Sequence, residues 1–280
     1  MENLYSRIIK EALKEDIGSG DHSSNCAIPA SANGQMKLII KDDGILAGMQ
    51  VAEAVFAEVN SEIKFEKLLS DGAAVKFGEI AFHISGPIRA MLQGERIALN
   101  LMQRMSGIAS YTNSLVSLIS HTNCRLLDTR KTTPNLRILE KEAVRIGGGH
   151  NHRFGLFDMI MLKDNHVDFA GGVKAAVTKA QAYLKENNLD IPIEVETRNF
   201  KEIEELLSCS GVQRVMFDNF SVKDTLKAVQ LVAGRLETES SGGINEKTLV
   251  AYAETGVDFI SVGALTHSVI GLDMSLKSKI

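Results

Sequence analysis

The chain has 280 residues, a formal net charge of -4, 44% hydrophobic residues and 24% charged ones. That balance excludes a disordered chain and argues against a nucleic-acid binder, which needs a basic surface. No stretch approaches the roughly 20 apolar residues that span a bilayer. Cys26, Cys124 and Cys209 are too scattered for a disulfide frame or a zinc site, so a reducing cytoplasm is expected.

The opening MENLYSRIIKEALKED reads as an amphipathic helix around residues 2 to 14; a secretory signal would have a basic start and an unbroken apolar core. In the turn EDIGSGD, Gly18 and Gly20 relieve the backbone and Asp16 and Asp21 can cap. QMKLII alternates as a strand, GMQVAEAVFAEV has helical spacing, and IKFEKLL and GEIAFHISG read as further strands, together a small α+β unit. His83 falls on the polar face of its strand. From Pro87 the pattern turns helical over two segments, with Gly107 as the expected break and Met91, Met102 and Met105 as core filling. Arg96 and Arg104 read, on spacing alone, as exposed arginines paired with nearby carboxylates.

Beyond residue 120 a strand-then-helix rhythm begins. CRLLD, FDMIMLK, IPIEVE, VQRVMFD, GRLETES and VDFISVG are short apolar runs of the kind that form buried parallel strands. VKAAVTKAQAYLKEN, FKEIEELLSC, VKDTLKAVQLV and NEKTLVAYAET are the helices between them. The pattern predicts an α/β parallel barrel, closed or incomplete, after an amino-terminal α+β sandwich; an open doubly wound sheet is the alternative. Expected boundaries are 1–106 for the first domain, 107–266 for the barrel and 267–280 for a tail packing back on the first domain.

Functional-looking residues fall at the strand ends: Asp128 with Arg130 and Lys131, then Lys163, Glu196, Asp218, Ser241–Gly243 and Gly263. A β/α barrel gathers such ends on one face. The stretch from Asp128 to His166 also holds Arg137, Lys141, Arg145, Arg153, His150 and His152, a cation density that implies a strongly anionic small ligand. Lys141 and Arg145, four apart, read instead as a solvated helix face. Glu196 and Asp218 suit a magnesium ion carried by a phosphorylated substrate, with a salt bridge from Glu196 to a lysine as the plainer reading. The turns SSGGI and SVGALTHS open helices and can offer backbone N–H groups to phosphate.

These blocks carry a resemblance. ALKEDIGSGD, GERIALNLMQRMSGIAS, DTRKTTPNLRILEKEAVRIGGGHNHRFGLFDMIMLKDNH, IEVE, MFDNF, SSGGI and FISVGALTHS resemble, in order, the blocks of the quinolinate phosphoribosyltransferase family of NAD biosynthesis. The resemblance implies a homodimer with shared active sites, converting quinolinate and phosphoribosyl pyrophosphate to nicotinate mononucleotide, pyrophosphate and carbon dioxide, with Mg2+. It implies Thr129, Arg130, Lys131, His152, Arg153 and Lys163 around quinolinate, and Arg96 reaching the neighbouring subunit's site. Glu196 and Asp218 are implied at the ribose and metal end, and Ser241, Gly242, Gly243, Val262, Gly263 and Ala264 at the phosphate. No membrane or nucleic-acid partner is implied.

Three positions depart from the family pattern: Asn135 where glycine is usual, Glu142 where tyrosine is common, and Ser240 where alanine is usual. Asn tolerates left-handed backbone, so the first departure need not disturb its turn. Two rivals stand beside this reading: a relative of the same fold acting on another pyridine or purine acid, and a phosphate-sensing or scaffold protein that kept the barrel without catalysis.

Overall fold

The computed structural model describes residues 5–279, so residues 2–4 of the first expected helix lie outside the described residues. The chain opens with α1 (Ser6–Ile17), α2 (His22–Ala27), β1 (Asn33–Ile40), β2 (Gly44–Ile45) and α3 (Met49–Val59). It continues through β3 (Lys64–Lys67), β4 (Ala74–Val75), β5 (Ile80–Pro87) and the long α4 (Ile88–Leu118). Next come β6 (Arg125–Leu127), α5 (Arg137–Ile146), β7 (Ile160–Leu162), α6 (Asp164–Ala170), α7 (Val173–Glu186) and β8 (Ile193–Thr197). The remainder is α8 (Phe200–Leu207), β9 (Arg214–Asp218), α9 (Val222–Val232), β10 (Glu237–Ser241), α10 (Leu249–Ala253), β11 (Phe259–Ser261), α11 (Ala264–His267) and β12 (Met274–Ser278).

Two compact units result. The first takes the chain up to Asn113, Thr132–Gly148 and the stretch from Leu265; the second takes Ser114–Lys131 and Gly149–Ala264. In the first, an antiparallel sheet has the order β12-β1-β5-β3. Alternation in β1 turns Met36, Leu38 and Ile40 into the core, and the C-terminal β12 pairs along its edge from Met36↔Ser278 to Ile40↔Met274. Phe56 on α3 meets Phe65 and Phe82 of the sheet in one aromatic cluster. On the polar face His83 lies 3.1 Å from Glu66 of the neighbouring strand. Asp21 caps α2 by accepting from the Ser24 amide at 3.0 Å.

Gly107 does not break the helix: α4 runs unbroken for 31 residues. Its glycine serves a close approach, because a Cβ there would overlap the Ile270 carbonyl of the C-terminal stretch. Gly107→Ala is expected to destabilise the protein by about 1–3 kcal/mol through overpacking, with α4 helix content intact. Urea denaturation with circular dichroism checks it: unchanged stability would show that the tail yields at no cost.

Lys141 is another correction. It is buried, because α5 turns that side inward with Leu139, Ala143 and Val144; Arg145 stays exposed and pairs with Glu142 at 2.6 Å. Arg104 is paired as expected, with the buried Glu140 at 2.6 Å, and it also donates to Thr133 Oγ1 at 2.7 Å.

All six expected strands of the second unit form, and all pair in parallel in the order β6-β11-β10-β9-β8-β7. The barrel is therefore incomplete, with β6 and β7 as its two ends. Along the free edge of β6 lies the segment at His150, whose amide donates to Leu126 O at 2.8 Å and whose carbonyl accepts from the Asp128 amide at 3.1 Å. NEKTLVAYAET shrinks to the five-residue α10.

Candidate active site

Parallel pairing puts the carboxyl ends of the six strands at one edge of the sheet, so Asp128, Lys163, Glu196, Asp218, Ser241 and Val262 all lie at that edge. Each is held by local chemistry. After β6, Thr129 Oγ1 accepts from the Lys131 amide at 3.0 Å, turning the chain so that Arg130 and Lys131 stand exposed. Asn135 beyond them has φ 66, the left-handed angle where the family pattern carries glycine.

Asp128 is fully buried and organises the segment beside β6: its Oδ1 accepts from the His152 amide at 2.8 Å and its Oδ2 from Asn151 Nδ2 at 2.6 Å. Arg153 follows, half-buried, with one guanidinium nitrogen donating to Met159 O at 3.1 Å. Burial first, and then the neighbouring Arg130, hold its pKa below the usual arginine value, against the pull of Glu194 and Asp158. A guanidinium desolvated beside another cation is relieved by an incoming carboxylate.

Lys163 follows β7 and is the N-cap of α6, where its amide donates to His166 Nδ1 at 3.0 Å. Its Nζ lies 2.9 Å from Oε2 of Glu196, so the lysine-to-glutamate bridge is present. Glu196 is buried in β8, whereas the lysine is nearly half exposed. Asp218 closes β9 and accepts from Asn219 Nδ2 at 2.8 Å. Asn219 itself has φ 56, and its amide donates to Ser241 O at 2.9 Å. Gly242 is then required twice over: its φ is 103, and a Cβ would overlap the Asn219 side chain. Val262 is fixed by its amide on Leu127 O at 3.0 Å, ahead of Gly263 and Ala264.

His152 is placed differently from the other cations. Its ring is buried, Nδ1 accepts from the Arg153 amide at 2.7 Å, and Nε2 lies 3.0 Å from Glu194 Oε2 and 3.5 Å from Glu239 Oε2. Arg214 reaches Glu239 at 3.1 Å and stacks on Phe259 with its guanidinium 4.0 Å from the ring centre. Sequence reasoning missed Glu194, Glu239 and Arg214. Their signal was charge inside strands whose other residues are apolar, at two-residue spacing that puts Glu194 on the same face as Glu196.

Two influences oppose each other at this imidazole. Burial disfavours the charged ring, whereas Glu194 and Glu239 favour it. A second proton would have to enter at Nδ1, which already accepts an amide hydrogen, so that contact assigns the ring as neutral with its proton on Nε2. Burial and the charge of Glu239 raise the pKa of Glu194. Glu239 is held below the usual range, despite its burial, by His152, Ser261 and Arg214. The ligand atoms of His152, Glu194 and Glu239 lie within 4.8 Å of one another, a spacing that could admit a metal ion. With its proton on Nε2 the ring turns no lone pair toward the carboxylates, and a guanidinium already holds Glu239, so the cluster is an ionic network instead.

Comparison with known proteins agrees with the motif reading. The family models described as quinolinate phosphoribosyl transferase, N-terminal and C-terminal domains, match residues 21–106 and 108–277. A chloroplastic nicotinate-nucleotide pyrophosphorylase (carboxylating) of Arabidopsis thaliana is 44% identical, over 96% of this chain and 81% of its own. A probable nicotinate-nucleotide pyrophosphorylase of Bacillus subtilis is 38% identical, over 96% of this chain and 92% of its own. The crystal structure of NadC from Streptococcus pyogenes superposes with a TM-score of 0.93 at 40% identity, covering 98% of this chain and 95% of that one.

Proposed function

The chain belongs to the quinolinate phosphoribosyltransferase family, and from that premise we propose how its residues carry the reaction. The enzyme transfers the phosphoribosyl group of phosphoribosyl pyrophosphate to quinolinate with decarboxylation, giving nicotinate mononucleotide, pyrophosphate and carbon dioxide in NAD biosynthesis. Arg130, Lys131, Arg153 and Lys163 form the cage for the two ring carboxylates, with Thr129 shaping its turn and His152 backing Arg153. The observation that carries this reading is that exposed Arg130 and Lys131 and half-exposed Lys163 follow strands at one edge of the parallel sheet, with the half-buried Arg153 on the segment beside β6, cations that a dianion relieves.

The pyridine nitrogen attacks the anomeric carbon as pyrophosphate departs, and positive charge builds on the ribose. Glu196 and Asp218, at the ends of adjacent strands, place negative charge where that cation develops. Ser241–Gly243 and Val262–Ala264 are the turns that receive the phosphate, the second of them held in place by the Val262 amide on Leu127 O. Once the ring nitrogen is quaternary, its positive charge stabilises the electron pair left on the adjacent ring carbon as carbon dioxide departs, and a proton from water completes the new C–H bond. Glu196 and Asp218 are a hard-oxygen pair that would hold Mg2+ brought with phosphoribosyl pyrophosphate, and the ion would supply positive charge against the departing pyrophosphate. Incubating the protein with quinolinate, phosphoribosyl pyrophosphate and magnesium tests the whole: carbon dioxide and a mononucleotide are the expected products. Turnover of nicotinate in preference to quinolinate would move the protein to another acid.

The working form is a homodimer with shared sites. Leu156 and Phe157 are each 71% exposed and Phe169 92%, an apolar surface next to Arg153 and Lys163 in sequence that suits a partner subunit. Arg96 is exposed on α4, as a residue reaching into the other subunit's site must be. Mixing Arg96→Ala with Lys163→Ala subunits should restore up to about a quarter of wild-type activity, because random pairing leaves some dimers one intact site. No recovery at any ratio would refute sharing. Cytoplasmic residence is the reading that three free cysteines favour. No helix among the described residues is long and apolar enough to cross a membrane.

A further inference from the structure

Inside the barrel, Glu194 is wholly buried and neither of its oxygens has a well-aligned hydrogen bond. Such a group is costly unless something answers it, and the His152 ring at 3.0 Å is what it faces. Glu239, also wholly buried, approaches the same ring nitrogen at 3.5 Å and is itself fixed by Arg214 at 3.1 Å. The other side of the ring bears on Arg153, whose amide donates to Nδ1 at 2.7 Å. A chain of contacts therefore runs from strands β8, β9 and β10 through one imidazole to the backbone of a cage arginine.

We propose that Glu194 and Glu239 are positioning residues for quinolinate: they hold the His152 ring with its proton toward β8 and β10, so that Nδ1 receives the Arg153 amide and fixes where the guanidinium stands. The proposal rests on the reading of Arg153 as a quinolinate ligand. The Asp128 carboxylate holds the segment from its backbone side through the His152 amide, so the ring contact governs direction and Asp128 governs attachment. Arg214 keeps Glu239 in place, and its pKa is raised, against burial, by Glu194 and Glu239. A carboxylate that acts through two intermediates should affect the acid substrate and leave the sugar pyrophosphate alone.

The test pairs two substitutions with a spectrum. Glu194→Met removes the acceptor at similar volume, whereas Glu194→Gln keeps an oxygen for the Nε2 proton. Glu194→Met should raise the quinolinate KM about tenfold or more, the cost of a displaced binding group, with the phosphoribosyl pyrophosphate KM within about twofold. Glu194→Gln should remain close to wild type. In 15N-histidine NMR of the intact wild-type enzyme, with His152 assigned by its loss in His152→Asn, the ring should carry its proton on Nε2 alone.

A wild-type ring protonated at Nδ1 overturns the proposal, and this holds even where Glu194→Met does not fold. An unchanged quinolinate KM in Glu194→Met overturns it too. So does a Glu194→Gln enzyme as impaired as Glu194→Met, or an equal rise in both KM values, since those mark a purely structural role. A wild-type enzyme that does not turn over quinolinate removes the functional reading and this proposal together. An active enzyme with the wrong spectrum removes this proposal alone.

Discussion

Arg153→Ala is expected to lower kcat/KM for quinolinate by about 2–4 kcal/mol, the loss found when one positioned electrostatic group is removed. Arg153 is held by the Asp128-anchored segment on one side and by Met159 O at 3.1 Å on the other, so little ordering is left to be done when substrate arrives. Its charge is also held under stress by burial and by Arg130. A carboxylate relieves that stress, and alanine has none to relieve. Lys131→Ala should fall in the same range for the same reason, as a second cation at the same strand end. Steady-state kinetics decides the matter: turnover near wild type in either variant would take that residue out of the cage.

Glu196→Gln should separate the kinetic constants. On the proposed mechanism the carboxylate stands where positive charge develops on the ribose, so kcat should fall about 100- to 1,000-fold. Glu196 also holds Lys163 Nζ at 2.9 Å, and the neutral amide leaves that lysine with a weaker partner. Its charge then becomes more available to quinolinate, whose KM should stay level or fall. The opposite pattern, a raised quinolinate KM with kcat intact, would mean that Glu196 serves to orient Lys163. Because Glu196 is buried and the near-isosteric amide can keep its place, loss of fold is not expected to obscure the result.

Particular elements show what could be read from the residues alone. Five apolar runs became parallel strands, since a strand covered on both faces favours apolar residues, while β10, ETESS, is polar throughout and joins the same sheet through its pairing with β9 and β11. Their polar ends became one edge, since parallel pairing leaves no other place for them. Gly107 was legible as special and misleading as to cause: the sequence displays a glycine, and only the chain 163 residues later, at Ile270, explains it. Lys141 failed for a similar reason, because helical spacing gives faces without saying which face another part of the chain will cover.

The site divides along the same line. Arg130, Lys131, Lys163, Glu196 and Asp218 could be picked out because each follows or ends an apolar run, so neighbours in sequence mark them. His152 could be picked out as a residue but not as an orientation: its ring is turned to Glu194 and Glu239, which lie 42 and 87 positions away. Periodicity, composition and motif order are short-range properties of a chain, and they were enough to determine the strands, their direction and the family, and to nominate the cations proposed for the cage. Which buried charge answers which, and where a ring proton sits, depend on distances between strands remote in sequence. Coulomb and hydrogen-bond energies at 3 Å are decided there, after the barrel has folded, and only the tertiary structure could supply them.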